Sequence, residues 1–180
     1  LRPDEFVVAR ATAVAVVAVG VEQGIVLAIV LSVLDHLRNS YRPITSVMVP
    51  AKGDPHWRQV PFTAGARTLP GLVVYRFAGG IYYANANHLV EDVNGIVEGG
   101  EAAGDPLRWL CFDAVVIDDV DFSGAEALRQ IHGSLAEHGV RLVIAEPLPQ
   151  VRALMDRYGL VDLLGEDAFY PTLSDAVAAY

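Results

Sequence analysis

Val115-Val116-Ile117-Asp118-Asp119-Val120-Asp121-Phe122-Ser123-Gly124-Ala125-Glu126-Ala127-Leu128 changes physical character twice within one short stretch. Its first residues are β-branched and apolar, the composition of a strand buried on both faces. Its middle is acidic. From Ser123 the pattern turns helical. Ser123 and Glu126 stand as S-x-x-E, a capping box: the hydroxyl accepts the third helical amide and the carboxylate reaches back to the cap amide. Leu128, Ile131 and Leu135 follow at spacings of three and four, one buried stripe. A strand feeding a helix through a polar loop puts that loop at the carboxyl end of a sheet, where α/β proteins gather their functional groups. The fold class predicted is α/β.

The 180 residues suit one domain with an appendage. Hydrophobic residues make up 53% and the mean hydropathy is +0.35, an excess concentrated in the first 37 residues. Charge is also uneven. Residues 1–68 hold 7 Lys+Arg against 5 Asp+Glu, whereas 69–180 hold 6 against 17. So acidic a second part excludes a nucleic-acid partner bound by phosphate neutralisation, and it would not adhere to anionic lipid without its basic neighbour. Cys111 is the only cysteine, which excludes an internal disulfide and a thiolate metal site; it reads as a small buried side chain in a strand. His36, His56, His88, His132 and His138 show no metal spacing, and no Ser-His-Asp or Cys-His set stands out, so the chain reads as a non-enzyme without metal or cofactor. A first residue of Leu rather than Met fits a fragment or a processed chain.

Along the chain, Phe6–Gly20 and Ile25–Leu37 are two apolar segments parted by Glu22-Gln23-Gly24. Each is shorter than the ~20 residues that span a bilayer as helix. Three readings stay open: two short membrane helices within a larger bundle, one bent spanning segment, or buried helices of a soluble domain. Composition favours membrane. Ala11–Gly20 has no charge, its small residues suit helix packing in lipid, and Arg38, Arg42, Lys52, Arg58 and Arg67 follow, opposed by Asp54 alone. Arg10 and Glu22 sit near segment ends, where a snorkelling role competes with a functional one.

Residues 39–68, with Pro43, Pro50, Pro55 and Pro61, read as a basic Pro-rich linker in which Ile44–Val49 makes a short strand. Beyond it, Leu72–Phe77 predicts a strand, Gly79-Gly80 a hairpin turn and Ile81–Tyr83 the returning strand. Asn85 or Asn87 then caps a helix with the stripe Leu89, Val93, Ile96 and Val97, closed by Gly99-Gly100. Cys111–Ile117 reads as the central strand, Val140–Ala145 as another, and Ala168–Tyr170 as an edge strand before a last helix capped by Ser174.

Several of these stretches carry a family likeness. Asp121-Phe122-Ser123-Gly124, between strand and helix, resembles the D-x-[ST]-G signature of the STAS domain. Tyr82-Tyr83-Ala84-Asn85-Ala86 and the strand Pro70–Phe77 are similar to the motifs of STAS domains in SulP (sulfate permease type) anion transporters. Tyr41-Arg42-Pro43, Val49-Pro50 and Trp57-Arg58-Gln59-Val60 resemble the joint between the last transporter helix and that domain. The resemblance implies terminal transmembrane helices over 1–38, the linker over 39–68, and over 69–180 a STAS domain, a mixed β-sheet flanked by helices. It implies a cell-membrane protein with the STAS domain cytoplasmic, secondary active transport of an inorganic anion such as sulfate at a site outside this chain, and a regulatory domain whose partners are the transporter's membrane domain and a second protomer in a homodimer. It also implies roles for three residues. Ser123 matches the position phosphorylated in anti-sigma-factor antagonists, which supplies the alternative of a phosphorylation-switched signalling module; helix capping explains the same serine. Asp121, Ser123 and Gly124 form the loop that would take a regulatory nucleotide, although no G-x-G-x-x-G pattern accompanies it. Asp118, Asp119 and Asp121 read either as a cation site or as solvated loop carboxylates, and residues 69–180 contain no lysine to complete a receiver-type site.

Overall fold

The structure, a computed structural model, describes residues 10, 13, 20–40, 43–51 and 57–180 and divides into two compact units, Leu1–Arg42 and Pro43–Tyr180. In the first unit, all of the apolar segment Phe6–Gly20 except Arg10, Ala13 and Gly20 lies outside the described residues. The second segment is helix α1, Val21–Ser40. It starts earlier than predicted, because Glu22-Gln23-Gly24 is its first turn and not a break: Gly20, at φ 122, turns the chain in, and its carbonyl accepts the Gly24 amide at 3.1 Å. Val21, Ile25, Val26, Ile29, Val30, Val33 and Leu34 of α1 are exposed. No helix among the described residues is long and apolar enough to cross a membrane.

The second unit is built on a six-stranded sheet in the order β2-β1-β3-β4-β5-β6. The strands are β1 (Thr45–Pro50), β2 (Trp57–Pro61), β3 (Leu72–Phe77), β4 (Trp109–Asp113), β5 (Arg141–Ala145) and β6 (Phe169–Tyr170). β1 runs antiparallel to both β2 and β3, and β3 through β6 run parallel. Parallel neighbours need crossovers. Helix α2 (Tyr83–Ala102) links β3 to β4, α3 (Phe122–Glu137) links β4 to β5, and α4 (Pro149–Arg157) with α5 (Leu160–Leu164) lead to β6. These helices share the main core with Val73, Tyr75 and Phe77, while the alternate residues Leu72 and Val74 join Cys111 and Val143 under the final helix α6 (Leu173–Ala179). Both faces are covered, which is why these strands read as unbroken apolar runs. The unit therefore has its own sheet and its own two cores, what a domain needs to fold by itself.

Several sequence expectations are corrected. There is no hairpin at Gly79-Gly80. β3 is an interior strand with β1 on one edge and β4 on the other, so no edge remains for a returning strand; Ile81 makes a single parallel bridge to Val120, and the chain enters α2. Within the residues read as linker, the strand expected at Ile44–Val49 forms as β1, and a second, unexpected strand, β2, pairs with it. The central strand spans Trp109–Asp113, not Cys111–Ile117. Buried Asp113 ends it by pairing with Arg76 and accepting the Val115 amide, after which Val116 swings into solvent. α2 continues past Gly99-Gly100 to Ala102. Thr172, not Ser174, caps α6 by accepting the Asp175 amide at 3.0 Å. The stripes Leu89/Val93/Ile96/Val97 and Leu128/Ile131/Leu135 are buried as predicted.

Candidate functional site

The motif residues meet at the carboxyl end of the sheet. The loop after β4 returns beside Gly80–Tyr82: the Ile81 amide donates to the Asp119 carbonyl at 3.0 Å and the Asp121 amide to the Ile81 carbonyl at 3.1 Å. Asp121 is the N-cap of α3, one Oδ accepting the Gly124 amide at 2.7 Å. Its other oxygen accepts the Tyr83 amide, the first of α2, at 3.1 Å. One carboxylate thus clasps the N-termini of two helices, where partial positive charge favours an anion. Gly124 permits the approach. A Cβ there would lie 2.4 Å from the Ile81 carbonyl oxygen, closer than any side chain tolerates.

Ser123 is consequently not the cap. It occupies the second position of α3, half-buried, and Glu126 pairs with Arg129 instead of reaching back. The expected Ser123–Glu126 capping box fails because the helix begins two residues earlier, capped by Asp121, so Ser123 lies inside its first turn. Nor do Asn85 or Asn87 cap α2 from outside. Asn85 is inside its first turn, buried, and reaches back: Oδ1 accepts the Tyr82 amide at 2.9 Å and Nδ2 donates to the Gly80 carbonyl at 3.0 Å. Asn87 takes no part in it.

Of the predicted nucleotide loop, Asp121 and the Gly124 amide are already engaged with each other. Asp118 and Asp119 are exposed, and Asp119 accepts the Val120 amide at 2.9 Å. Among the described residues no group of three His, Cys, Asp or Glu side chains is placed to hold a metal ion. Burial, then the charges of Asp119 and Asp118, raise the Tyr82 phenol above its ordinary value. Tyr83 and Phe122 project from the same junction, 80% and 63% exposed.

Two polar pairs inside the domain escaped the sequence reading. Asp113, fully buried, accepts Arg76 Nε at 2.9 Å and Nη2 at 2.6 Å across β3 and β4. Burial still prevails over the guanidinium and holds the Asp113 carboxyl above its ordinary range, with Glu146 adding to the shift. Tyr75 donates to Asp92 at 2.7 Å in the main core, and burial followed by Asp92 raises its phenol. The available signal was a lone opposite charge near the end of each of two apolar strands, Arg76 and Asp113, which register as direct partners.

Fold and junction define a STAS domain, and the chain belongs to that family: residues 64–176 match it. The likeness also runs past the domain. The chain is 28% identical to high affinity sulfate transporter 2 of Stylosanthes hamata over 98% of its own length and 27% of that protein's. It is 30% identical to a probable sulfate transporter of Mycobacterium tuberculosis over 99% of its length and 31% of the relative's. The chain thus spans less than a third of these relatives. Among solved structures, the murine Solute Carrier 26 family member A9 anion transporter, in its inward-facing state, superposes with a TM-score of 0.71 at 16% identity, over 87% of this chain and 25% of that one.

Proposed function

We propose that this chain is the regulatory end of a secondary anion transporter of the sulfate permease type, with sulfate as the cargo. In this proposal residues 1–38 belong to the transporter's membrane domain, and the unit Pro43–Tyr180 is a cytoplasmic regulator that docks on that domain or on a second protomer. The observation that carries it is the extent of the likeness: sulfate transporters match 98% and 99% of the chain, its hydrophobic beginning included, whereas a freestanding signalling domain has no use for that beginning. The exposed apolar side chains of α1 support it too, since such a surface requires lipid or protein cover. The anion path belongs to the part of the transporter beyond these residues. No catalytic step is assigned to the chain. Its contribution is a rigid body whose docking biases the transport cycle.

Ser123 is a point in the domain at which an added charge would act. A phosphate at the second position of α3 would compete with Asp121 for the same helix end and repel it. Uptake of labelled sulfate by transport-deficient cells carrying the complete gene tests both parts. Wild type and Ser123→Ala are expected to take up sulfate, and Ser123→Glu less, at equal membrane levels of protein. Equal uptake by all three removes the switch. No uptake by wild-type protein that reaches the membrane overturns the sulfate assignment.

A further inference from the structure

At the opposite edge of the sheet from β6, an open groove of about 680 Å³ lies against β1 and β2. Five of its described lining residues are apolar: Val49, Pro50, Ala51, Val60 and Ala66. The other two are Arg58 and Arg67. Val49 and Arg58 are direct cross-strand partners, so one guanidinium stands over an apolar wall. Arg58 is exposed and forms no ion pair among the described residues.

Arg67 is held differently. Its Nη1 donates to the Ala64 and Ala66 carbonyls at 3.2 and 2.9 Å, and its Nη2 to the Ile96 carbonyl at 3.1 Å. Carbonyls orient a guanidinium without neutralising it. Asp105 forms an ion pair with it, Oδ2 standing 3.8 Å from a buried Nε that has no hydrogen-bond partner. One exposed, unpaired cation, Arg58, and a second, Arg67, held in the fold by three carbonyls and Asp105, therefore border an apolar trough on a protein of net charge −9.

We infer that this groove binds the phosphate-bearing headgroup of an anionic membrane phospholipid. Charge complementarity sets the sign of the ligand. The apolar walls set its class, because a bare oxyanion gains nothing from five apolar residues whereas an amphiphile uses walls and cations together. A nucleotide is also an amphiphilic anion, but no aromatic side chain among the described lining residues offers its base a stacking surface. Asp105 offsets Arg67, which leaves Arg58 as the charge that attracts the ligand, and carboxylates beyond about 8 Å are screened at physiological salt. The site is separate from the Ser123 junction and does not depend on which anion is transported.

The test uses the unit Pro43–Tyr180 and short-chain phosphatidic acid below its micelle concentration, followed by amide chemical shifts. Saturable shifts confined to Val49, Arg58, Val60, Ala66 and Arg67 are expected, with weaker response to short-chain phosphatidylcholine and none to inorganic phosphate. Arg58→Gln should weaken binding about fivefold, the loss of one basic side chain at an anionic lipid surface. Arg157→Gln, a distant control, should leave it unchanged. Shifts spread over the whole surface, equal weakening by both variants, or no saturable binding would overturn the site. Shifts of the same residues by ATP alone would reassign it to a nucleotide.

Discussion

The junction at the carboxyl end of the sheet and the groove beside β2 distribute their polar groups in opposite ways. At the junction Asp121 uses both oxygens on backbone amides, Asn85 uses both ends of its amide, and Gly124 is there because the Ile81 carbonyl needs the room. At the groove Arg67 is held by three carbonyls and an ion pair with Asp105, but exposed Arg58 has no ion pair among the described residues. The conspicuous sequence motif therefore builds the fold. The capacity left over for a ligand sits where the sequence shows only prolines and scattered arginines. A polar residue already saturated within the fold is costly to recruit for binding, because its partner would be left buried and unmet.

The sharpest way to break this contrast is at Gly124. Gly124→Ala forces its new methyl against the Ile81 backbone, which cannot give way as a flexible side chain would, and is expected to lower stability by about 3 kcal/mol. Urea unfolding of residues 43–180 measures it, and a loss near zero would show that the junction is loose. Asp121→Ala should come next. Removing caps from two helices costs about 2 kcal/mol, whereas Ser123→Ala should change stability by less than about 0.5 kcal/mol. The reverse order would restore the serine as the cap. The smallest effect is on pH dependence. The Asp113 carboxyl is raised in the folded state, so the fold binds a proton that the unfolded chain has already released; stability contributed by the protonated form is present at acid pH and falls as pH climbs above the ordinary carboxylate range. Asp113→Asn should flatten that fall in thermal unfolding scans across mildly acid pH, and an unchanged slope would place its origin elsewhere.

How legible the molecule was depended on the kind of interaction involved. Helix stripes such as Leu128/Ile131/Leu135 and Leu89/Val93/Ile96/Val97 repeat with helical period, so their burial could be read residue by residue. The β-branched run Val115–Ile117 misled, because composition reports a taste for burial and not which residue ends a strand; Asp113 decided that through its partner on β3. The hairpin at Gly79-Gly80 misled likewise. Its turn chemistry is local, but the edges of β3 were already filled by β1, which lies well upstream, and β4.

By itself the sequence determined the α/β class, the buried faces of α2 and α3, the uneven charge and the family likeness, since all of these depend on residue type and spacing along one chain. Only the tertiary structure decided that one Asp121 carboxylate serves two helices, that Ser123 is not a cap, that β1 and β2 complete the sheet, and that Arg58 and Arg67 share a groove. Each of those is a contact between residues far apart in the chain, and a long-range contact is settled by which groups reach one another first once the sheet order is set.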